Sequence, residues 1–111
     1  MELDVKTERD GDVCSVTVVG EIDLYTSPML KERLLAAMDD GCKLLVVCLD
    51  GVGFIDSSGL GVLVGGLRRM KERGGDLRIA CTREHVLKIL RITGLDKVFP
   101  IVAVQDEARE L

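Results

Sequence analysis

The amino-acid sequence predicts an α/β domain with a mixed sheet of about five strands and crossover helices mainly on one face. Two N-terminal segments alternate apolar and polar residues, one central segment is apolar throughout, and amphipathic helical patterns separate the segments that follow. The order ββαβαβαβ requires crossover connections, and crossovers of one hand place their helices on the same face. The 111 residues contain no Pro/Ser-rich linker and no internal repeat, so we predict a single domain over residues 1–111.

The first two strands are predicted from this alternation. Leu3 and Val5 alternate with charged residues, and the polar segment 9–12 then predicts a turn. Beyond the turn, apolar side chains occupy every second position from 14 to 18. The pattern indicates a hairpin with one buried face.

Three helices are predicted from the helical spacing of apolar residues. The first has Ser27 as N-cap and Pro28 in its first turn, where proline is favoured. The second is predicted over residues 60–73, with cations near its C-terminus that oppose the helix dipole. The third is capped by Thr82 and ends at Gly94.

The remaining strands lie between these helices. The apolar run 44–49 is typical of a central strand that is covered on both faces, and we expect the chain to turn directly after it. Residues 77–81 predict the next strand and residues 98–104 the last, which Pro100 marks as an edge strand. Residues 105–111 predict a short closing helix.

Composition argues against several classes of partner. The formal net charge is −4, from 15 Lys and Arg against 19 Asp and Glu, and only 3% of the residues are aromatic. Nucleic acids and membrane surfaces favour basic proteins, so we expect neither as a partner. The N-terminal residues resemble no signal peptide or membrane span, so we expect a cytoplasmic protein.

The four cysteines lie at positions 14, 42, 48 and 81 and include no C-x-x-C pair. The single histidine, His85, is distant from Cys14, Cys42 and Cys48 in sequence, so this spacing predicts no zinc site. We expect reduced thiols, with Cys42 as the most exposed because it follows a turn glycine. We expect no metal and no cofactor.

The start of the second helix carries the most informative residues. Ser57 and Ser58 follow Asp56 where the backbone N–H groups of a helix have no partners within the helix. A hydroxyl there either caps the helix or takes part in holding an anion, and Asp56 alone can also serve as the cap. The pattern leaves these alternatives open.

Four glycines occur within the same helix, where each is unfavourable by about 1 kcal/mol relative to alanine. We interpret Gly59 and Gly61 as leaving room for a phosphate or another backbone near the first turn. Gly65 and Gly66, one turn farther along, are interpreted as close packing of the helix on the sheet.

Three segments together resemble the STAS-domain anti-sigma factor antagonists, also called anti-anti-sigma factors. Residues 20–28 read GEIDLYTSP, residues 56–61 read DSSGLG, and residues 91–95 read RITGL. The resemblance spans about residues 10–104 and implies the STAS fold, whose order of strands and helices agrees with the order above.

The resemblance also implies a function that is regulatory rather than enzymatic. The unphosphorylated protein is expected to bind an anti-sigma factor that is also a serine kinase, which frees the sigma factor. Phosphorylation is expected at Ser57, with Ser58 as the secondary candidate, and a serine phosphatase resets the switch. The expected partner-binding residues are Glu21, Asp23, Tyr25, Ser27, Asp56, Ser58, Gly59 and Gly61.

Three other functions compete with this one. A hydrolase would use Ser57 as nucleophile and His85 as base, although nothing in the sequence pairs them. A nucleotide-binding module would use the glycine-rich turn, which lacks the lysine of a P-loop. A STAS scaffold or the regulatory module of an anion transporter would bind a nucleotide or another protein.

Overall fold

The computed structural model describes residues 3–103, which form five strands and three α-helices. The strands are β1 Asp4–Asp10, β2 Val13–Ile22, β3 Leu44–Ile55, β4 Asp76–Ala80 and β5 Ile101–Val102. The helices are α1 Ser27–Asp39, α2 Ser57–Glu72 and α3 Glu84–Ile92, and a short 3-10 helix spans Leu95–Lys97. The predicted closing helix at 105–111 lies outside the described residues.

The five strands form one sheet in the order β1-β2-β3-β4-β5. β1 runs antiparallel to β2, as the hairpin pattern predicts, and every other neighbouring pair is parallel. Each new strand is added beside the previous one, so right-handed crossovers place α1, α2 and α3 on the same face. The prediction of a mixed sheet with its helices mainly on one face is confirmed.

The main core lies between this face of the sheet and the helices. Val47 of β3 and Ile79 of β4 are paired in register and fully buried. Leu30, Leu63 and Leu90 belong to α1, α2 and α3 respectively, and they are equally buried in the same apolar cluster. Burial of one such side chain contributes about 1.5–3 kcal/mol, so the shared core holds all three helices against the sheet.

β3 is longer than the sequence predicts. The prediction of a turn after residue 49 is wrong, because β2 continues beside β3 and pairs Ile22 with Ile55. A Cβ on Gly51 would lie 2.7 Å from Cγ2 of Val19 on the neighbouring strand. This glycine therefore permits a close strand pairing instead of marking a turn.

Two of the predicted helix caps are wrong. The N-cap of α1 is Thr26 instead of Ser27, and the N-cap of α3 is Arg83 instead of Thr82. The backbone N–H and the hydroxyl of Thr82 both donate to Oδ1 of Asp50, at 2.5 and 3.0 Å. Thr82 therefore joins the end of β4 to β3 and is not available to cap α3.

The last strand is shorter than predicted. β5 covers only Ile101–Val102, because the preceding residues complete the turn that follows the 3-10 helix. Within that turn the N–H of Phe99 donates to the carbonyl of Leu95 at 3.0 Å. β5 does form an edge of the described sheet, as Pro100 predicts.

All four cysteines are free thiols and all are buried. The prediction that Cys42 is the most exposed is wrong, since 5% of its surface is accessible against 8% for Cys48. Its thiol donates to the carbonyl of Ala37 at 3.4 Å, which seats it beneath the end of α1. Burial, together with the neighbouring Cys14 thiol, raises the pKa of Cys42 to about 12.

Candidate functional site

The two longer motif segments, 20–28 and 56–61, begin side by side at the ends of neighbouring strands. Glu21 of β2 pairs with Phe54 of β3, and the N–H of Asp56 donates to the carbonyl of Ile22 at 3.1 Å. The β2–α1 loop and the start of α2 therefore form one site.

Asp56 is the N-cap of α2. Its Oδ1 accepts hydrogen bonds from the N–H of Ser58 at 2.9 Å and from the N–H of Gly59 at 3.3 Å. The Ser58 hydroxyl donates to the same carboxylate oxygen. Of the three caps that the sequence left open, the structure uses the aspartate, and α2 begins at Ser57, three residues earlier than predicted.

The hydrogen bonds around Asp56 favour its charged form. The hydroxyl of Ser58 makes the largest contribution in holding the pKa of Asp56 below its usual value, against an opposing effect of desolvation. The N–H groups of Gly59, Ser58 and Leu24 lower the pKa in the same direction. Leu24 belongs to the β2–α1 loop, so that loop as well as the start of α2 favours the charged carboxylate.

Ser57 and Ser58 differ in what their hydroxyls do. Ser58 is half-buried and its hydroxyl is committed to Asp56. Ser57 is exposed, and its side chain has no hydrogen-bond partner among residues 3–103. The Ser57 hydroxyl is thus the one that an enzyme can reach without first breaking a contact of the protein.

The β2–α1 loop is shaped by Asp23 and Thr26. Oδ1 of Asp23 accepts from the N–H of Tyr25 at 2.9 Å and from the N–H of Thr26 at 3.0 Å. The Thr26 hydroxyl accepts from the N–H of Asp23 at 2.9 Å and donates to the carbonyl of Glu21 at 2.7 Å. These contacts close the loop on itself and commit the polar side chains to its interior.

The same loop turns apolar side chains outward. Leu24 is 69% exposed, Tyr25 is 89% exposed, and Phe54 on the adjoining strand is 41% exposed. All three belong to the end of the sheet where the β2–α1 loop adjoins β3, and several exposed apolar side chains in one region are typical of a protein interaction site. Together with Ser57 they form what we call the recognition surface: Leu24, Tyr25, Phe54 and Ser57.

The sequence-based site list named Tyr25 but missed Leu24 and Phe54. Phe54 lies directly before buried Ile55 in a strand, so alternation places its side chain on the opposite face. The alternation predicts this exposure only if the strand continues to Ile55, as it does in the structure. Leu24 lies in the loop between β2 and α1, where no periodic pattern indicates exposure.

The structure divides the remaining predicted site residues by depth. Tyr25 and Gly61 are exposed, and Ser27 and Gly59 are buried, so the latter two present no side chain to a partner. The other members are half-buried: Glu21, Asp23, Asp56 and Ser58.

The structure confirms the interpretation of Gly66 and contradicts those of Gly59 and Gly65, while the role of Gly61 stays a prediction. A Cβ on Gly59 would clash with Ile22 and lie 2.8 Å from Cγ1 of Ile55, so Gly59 serves packing instead of a partner. Gly66 also serves packing, as predicted, since a Cβ would lie 3.1 Å from Leu77.

Gly61 and Gly65 have open space instead. Among residues 3–103, no atom other than those of the chain neighbours and the helix backbone lies within 4 Å of a Cβ built at either position. Gly61 fits the prediction of free space, whereas the packing role predicted for Gly65 is wrong.

Other chemistry near the site is sparse in the described part of the chain. His85 is exposed near the start of α3, and no hydrogen bond among residues 3–103 joins it to Ser57. Within the same residues, no group of three His, Cys, Asp or Glu side chains is placed to hold a metal ion. The helices of this region are all too short or too polar to cross a membrane.

Comparison with known proteins agrees with this geometry. The family model of the STAS domain matches residues 4–108. The anti-sigma-B factor antagonist of Bacillus subtilis is 35% identical over 103 residues, which cover 93% of this chain and 94% of that protein. The protein of the same name from Listeria monocytogenes is 34% identical over 107 residues, 96% of this chain and 93% of that protein.

A solved structure gives the same result. The crystal structure of an anti-sigma factor antagonist from Mycobacterium paratuberculosis superposes with a TM-score of 0.89 at 29% identity, covering 98% of this chain and 92% of that one. Sequence and fold are thus shared with anti-sigma factor antagonists over nearly the whole chain. The chain belongs to the STAS domain family and, within it, to the anti-sigma factor antagonists.

Proposed function

We propose that this protein binds an anti-sigma factor with serine kinase activity and thereby frees a sigma factor, until phosphorylation at Ser57 ends the binding. Relatives named anti-sigma-B factor antagonist, similar over nearly their whole length, support the class of function. The observation that carries the site is the exposed Ser57 hydroxyl, which has no side-chain partner in the described residues and follows the end of β3, beside the loop that exposes Leu24 and Tyr25.

The charge of a phosphate explains how the switch works without refolding. Phosphoserine adds about −1.5 to −2 charges at neutral pH. Asp56 next to it is already ionised and already occupies the N–H groups of Ser58 and Gly59. A phosphate on Ser57 therefore finds those two N–H groups occupied, and it faces the docked partner instead.

A small loss of binding free energy at Ser57 is enough to release the partner. A tenfold loss of affinity corresponds to about 1.4 kcal/mol. A partner that covers the recognition surface has to strip water from the phosphate or lie against its negative charge, and both are unfavourable. Phosphorylation therefore releases the partner while the packed core beneath Gly59 stays intact.

In this role the protein is the substrate of a kinase and of a serine phosphatase, and it performs no catalysis of its own. It acts in the cytoplasm, where sigma factors meet RNA polymerase, and it needs no cofactor and no direct contact with nucleic acid. Its binding residues are the recognition surface and the half-buried polar groups beside it, Glu21, Asp23, Asp56 and Ser58.

The test is a titration of the cognate anti-sigma factor with five forms of the protein. We expect unmodified protein, Ser57→Ala and Ser58→Ala to bind and to displace the sigma factor. The phosphorylated protein should bind at least about tenfold more weakly. Ser57→Glu should lie between these forms, because it adds one charge where phosphate adds nearly two.

Equal affinity of the phosphorylated and unphosphorylated forms would contradict the switch. Failure of every form to bind or to displace the sigma factor would contradict the partner itself. ATP or GTP hydrolysis by protein purified free of kinase, and lost in Ser57→Ala, would show that the protein is an enzyme after all.

A further inference from the structure

An open groove of about 490 Å³ lies between α1 and α2, outside the recognition surface. It is lined from Ser58 at the start of α2 to Glu72 at its end. Leu34 and Leu35 of α1 and Val62 of α2 supply apolar lining. The groove is therefore long, apolar along part of its length, and adjacent at one end to the proposed phosphorylation site.

The α2 wall of the groove is bare backbone at two positions. Gly61 and Gly65 are one helical turn apart, and both line the groove. No atom outside the helix backbone lies within 4 Å of a Cβ built on either residue, so packing within the described chain does not explain them. Glycine is unfavourable inside a helix, but it allows a second backbone to approach closely.

The rim of the groove is basic, although the chain as a whole is acidic. Lys31, Arg68 and Arg69 line the groove and are exposed. None of them forms an ion pair with another residue of 3–103, whereas Arg73, just past the end of α2, is paired with an aspartate of α1 at 3.3 Å. Glu72 is the one carboxylate among the lining residues.

We propose that this groove docks an acidic amphipathic helix of the anti-sigma factor, an inference that rests on the function proposed above. A helix laid in an apolar groove is a common mode of recognition, with apolar anchors on one face. Gly61 and Gly65 let its backbone come close, and acidic residues beside its apolar face meet the three unpaired cations.

The position of the groove links this contact to the switch. Ser58 lines the end of the groove at the start of α2. Ser57 precedes Ser58 and is exposed. A phosphate on Ser57 therefore lies near the end of an acidic helix docked in the groove. Like charges repel, so phosphorylation acts against this helix as well as against the partner surface over Leu24, Tyr25 and Phe54.

Filling the groove tests its shape. In Gly65→Leu the side chain enters open space, so the domain should still fold. We expect the affinity for the anti-sigma factor, measured by calorimetry, to fall about tenfold or more, as for loss of a central interface contact. The matched control is Ala36→Leu, which adds the same side chain at an exposed position of α1 outside the groove and should change the affinity less than about twofold.

Reversing one rim charge tests the chemistry of the occupant. Arg68→Glu should weaken binding about threefold to tenfold at low salt, and high salt should narrow the difference. Lys88→Glu changes the net charge equally on α3, away from the groove, and should leave the affinity unchanged. A photo-crosslinker placed at Lys31 should label an acidic helical peptide of the anti-sigma factor.

The outcomes separate this inference from the proposed function. If the wild-type protein fails to bind the anti-sigma factor, both are wrong. If it binds and Gly65→Leu, folded by its melting curve, binds equally well, the groove is not a docking site while the function stands. If Gly65→Leu does not fold, Gly65→Ala is measured in its place. Binding of Gly65→Ala equal to that of the wild type, together with no crosslink from Lys31, then overturns the inference.

Two further results would also overturn it. If Gly65→Leu weakens binding but Arg68→Glu does not, the occupant is not acidic. If the wild-type protein self-associates in sedimentation experiments and Gly65→Leu abolishes this, the groove holds a second copy of the chain.

Discussion

The N-terminal ends of α1 and α2 contain the same kinds of residues but differ in how exposed their hydroxyl groups are. Each follows a strand, and in each an aspartate accepts hydrogen bonds from the next backbone N–H groups, Asp23 in the first and Asp56 in the second. At α1 the hydroxyl residues that follow, Thr26 and Ser27, are buried. At α2 one serine is committed to its aspartate, and Ser57 remains exposed.

Under the proposed function, this difference explains why only one of the hydroxyl groups at the two helix starts is a modification site. What matters is whether the capping aspartate and the core leave it free. At α1 the Thr26 hydroxyl forms hydrogen bonds within the loop that exposes Leu24 and Tyr25. The α2 start keeps one hydroxyl outside, directly beside that loop.

The largest expected effect comes from the packing of Gly59, at the start of α2, against the ends of β2 and β3. In Gly59→Val the new side chain meets buried Ile22 and Ile55, so the free energy of unfolding should fall by about 3 kcal/mol. The control is Gly61→Val, two residues along in open space, which should change stability by less than about 0.5 kcal/mol. Equal denaturant midpoints for both variants would show that Gly59 is not a packing position.

The next effect tests the closed start of α1. Thr26→Val keeps the shape but removes the hydroxyl that bonds the carbonyl of Glu21 and the N–H of Asp23. Unfolding free energy should fall by about 1–2 kcal/mol, and binding of the anti-sigma factor should weaken because the loop loses its shape. Ser57→Ala, at the open start, should leave stability unchanged; a similar loss in both variants would remove the contrast.

A smaller effect concerns the charge of Asp56. Its pKa is lower in the folded protein than in the unfolded chain, so its charged form stabilises the fold at neutral pH. This contribution is complete above the unfolded value of about 3.9 and is lost as the pH falls through the folded pKa. Asp56→Asn still caps the helix but does not titrate.

The measurement is the difference in unfolding free energy between wild-type protein and Asp56→Asn, taken from unfolding curves between pH 2 and pH 7. The wild-type advantage should be largest at neutral pH and should vanish in acid. An advantage that persists unchanged at the lowest pH would show that charge is not its source.

The fold was predictable because its signals are periodic. The alternation in residues 14–18 and the helical spacing of Leu30 and Leu34 reflect one buried face each, and the structure buries those faces. The boundaries were less predictable. Gly51 looks like a turn residue in sequence, and only the neighbouring Val19 shows that it serves a close pairing of strands.

The candidate site was predictable in its segments but not in its details. The resemblance indicated that residues 20–28 and 56–61 are functional segments, and the structure places them next to each other. Which side chain caps α2 depends on one hydrogen-bond geometry among Asp56, Ser57 and Ser58, which no local pattern fixes. The roles of Gly59 and Gly65 depended on what lies across from them, so the sequence interpretation assigned both wrongly.

The most direct test of the central claim is to map the phosphate after incubation with the cognate anti-sigma kinase and ATP. We expect one phosphate per chain, located on Ser57 by mass spectrometry, unchanged in Ser58→Ala and absent in Ser57→Ala. Thr26 and Ser27 should stay unmodified because they are buried. Phosphate on Ser58, or full modification of Ser57→Ala, would contradict the account.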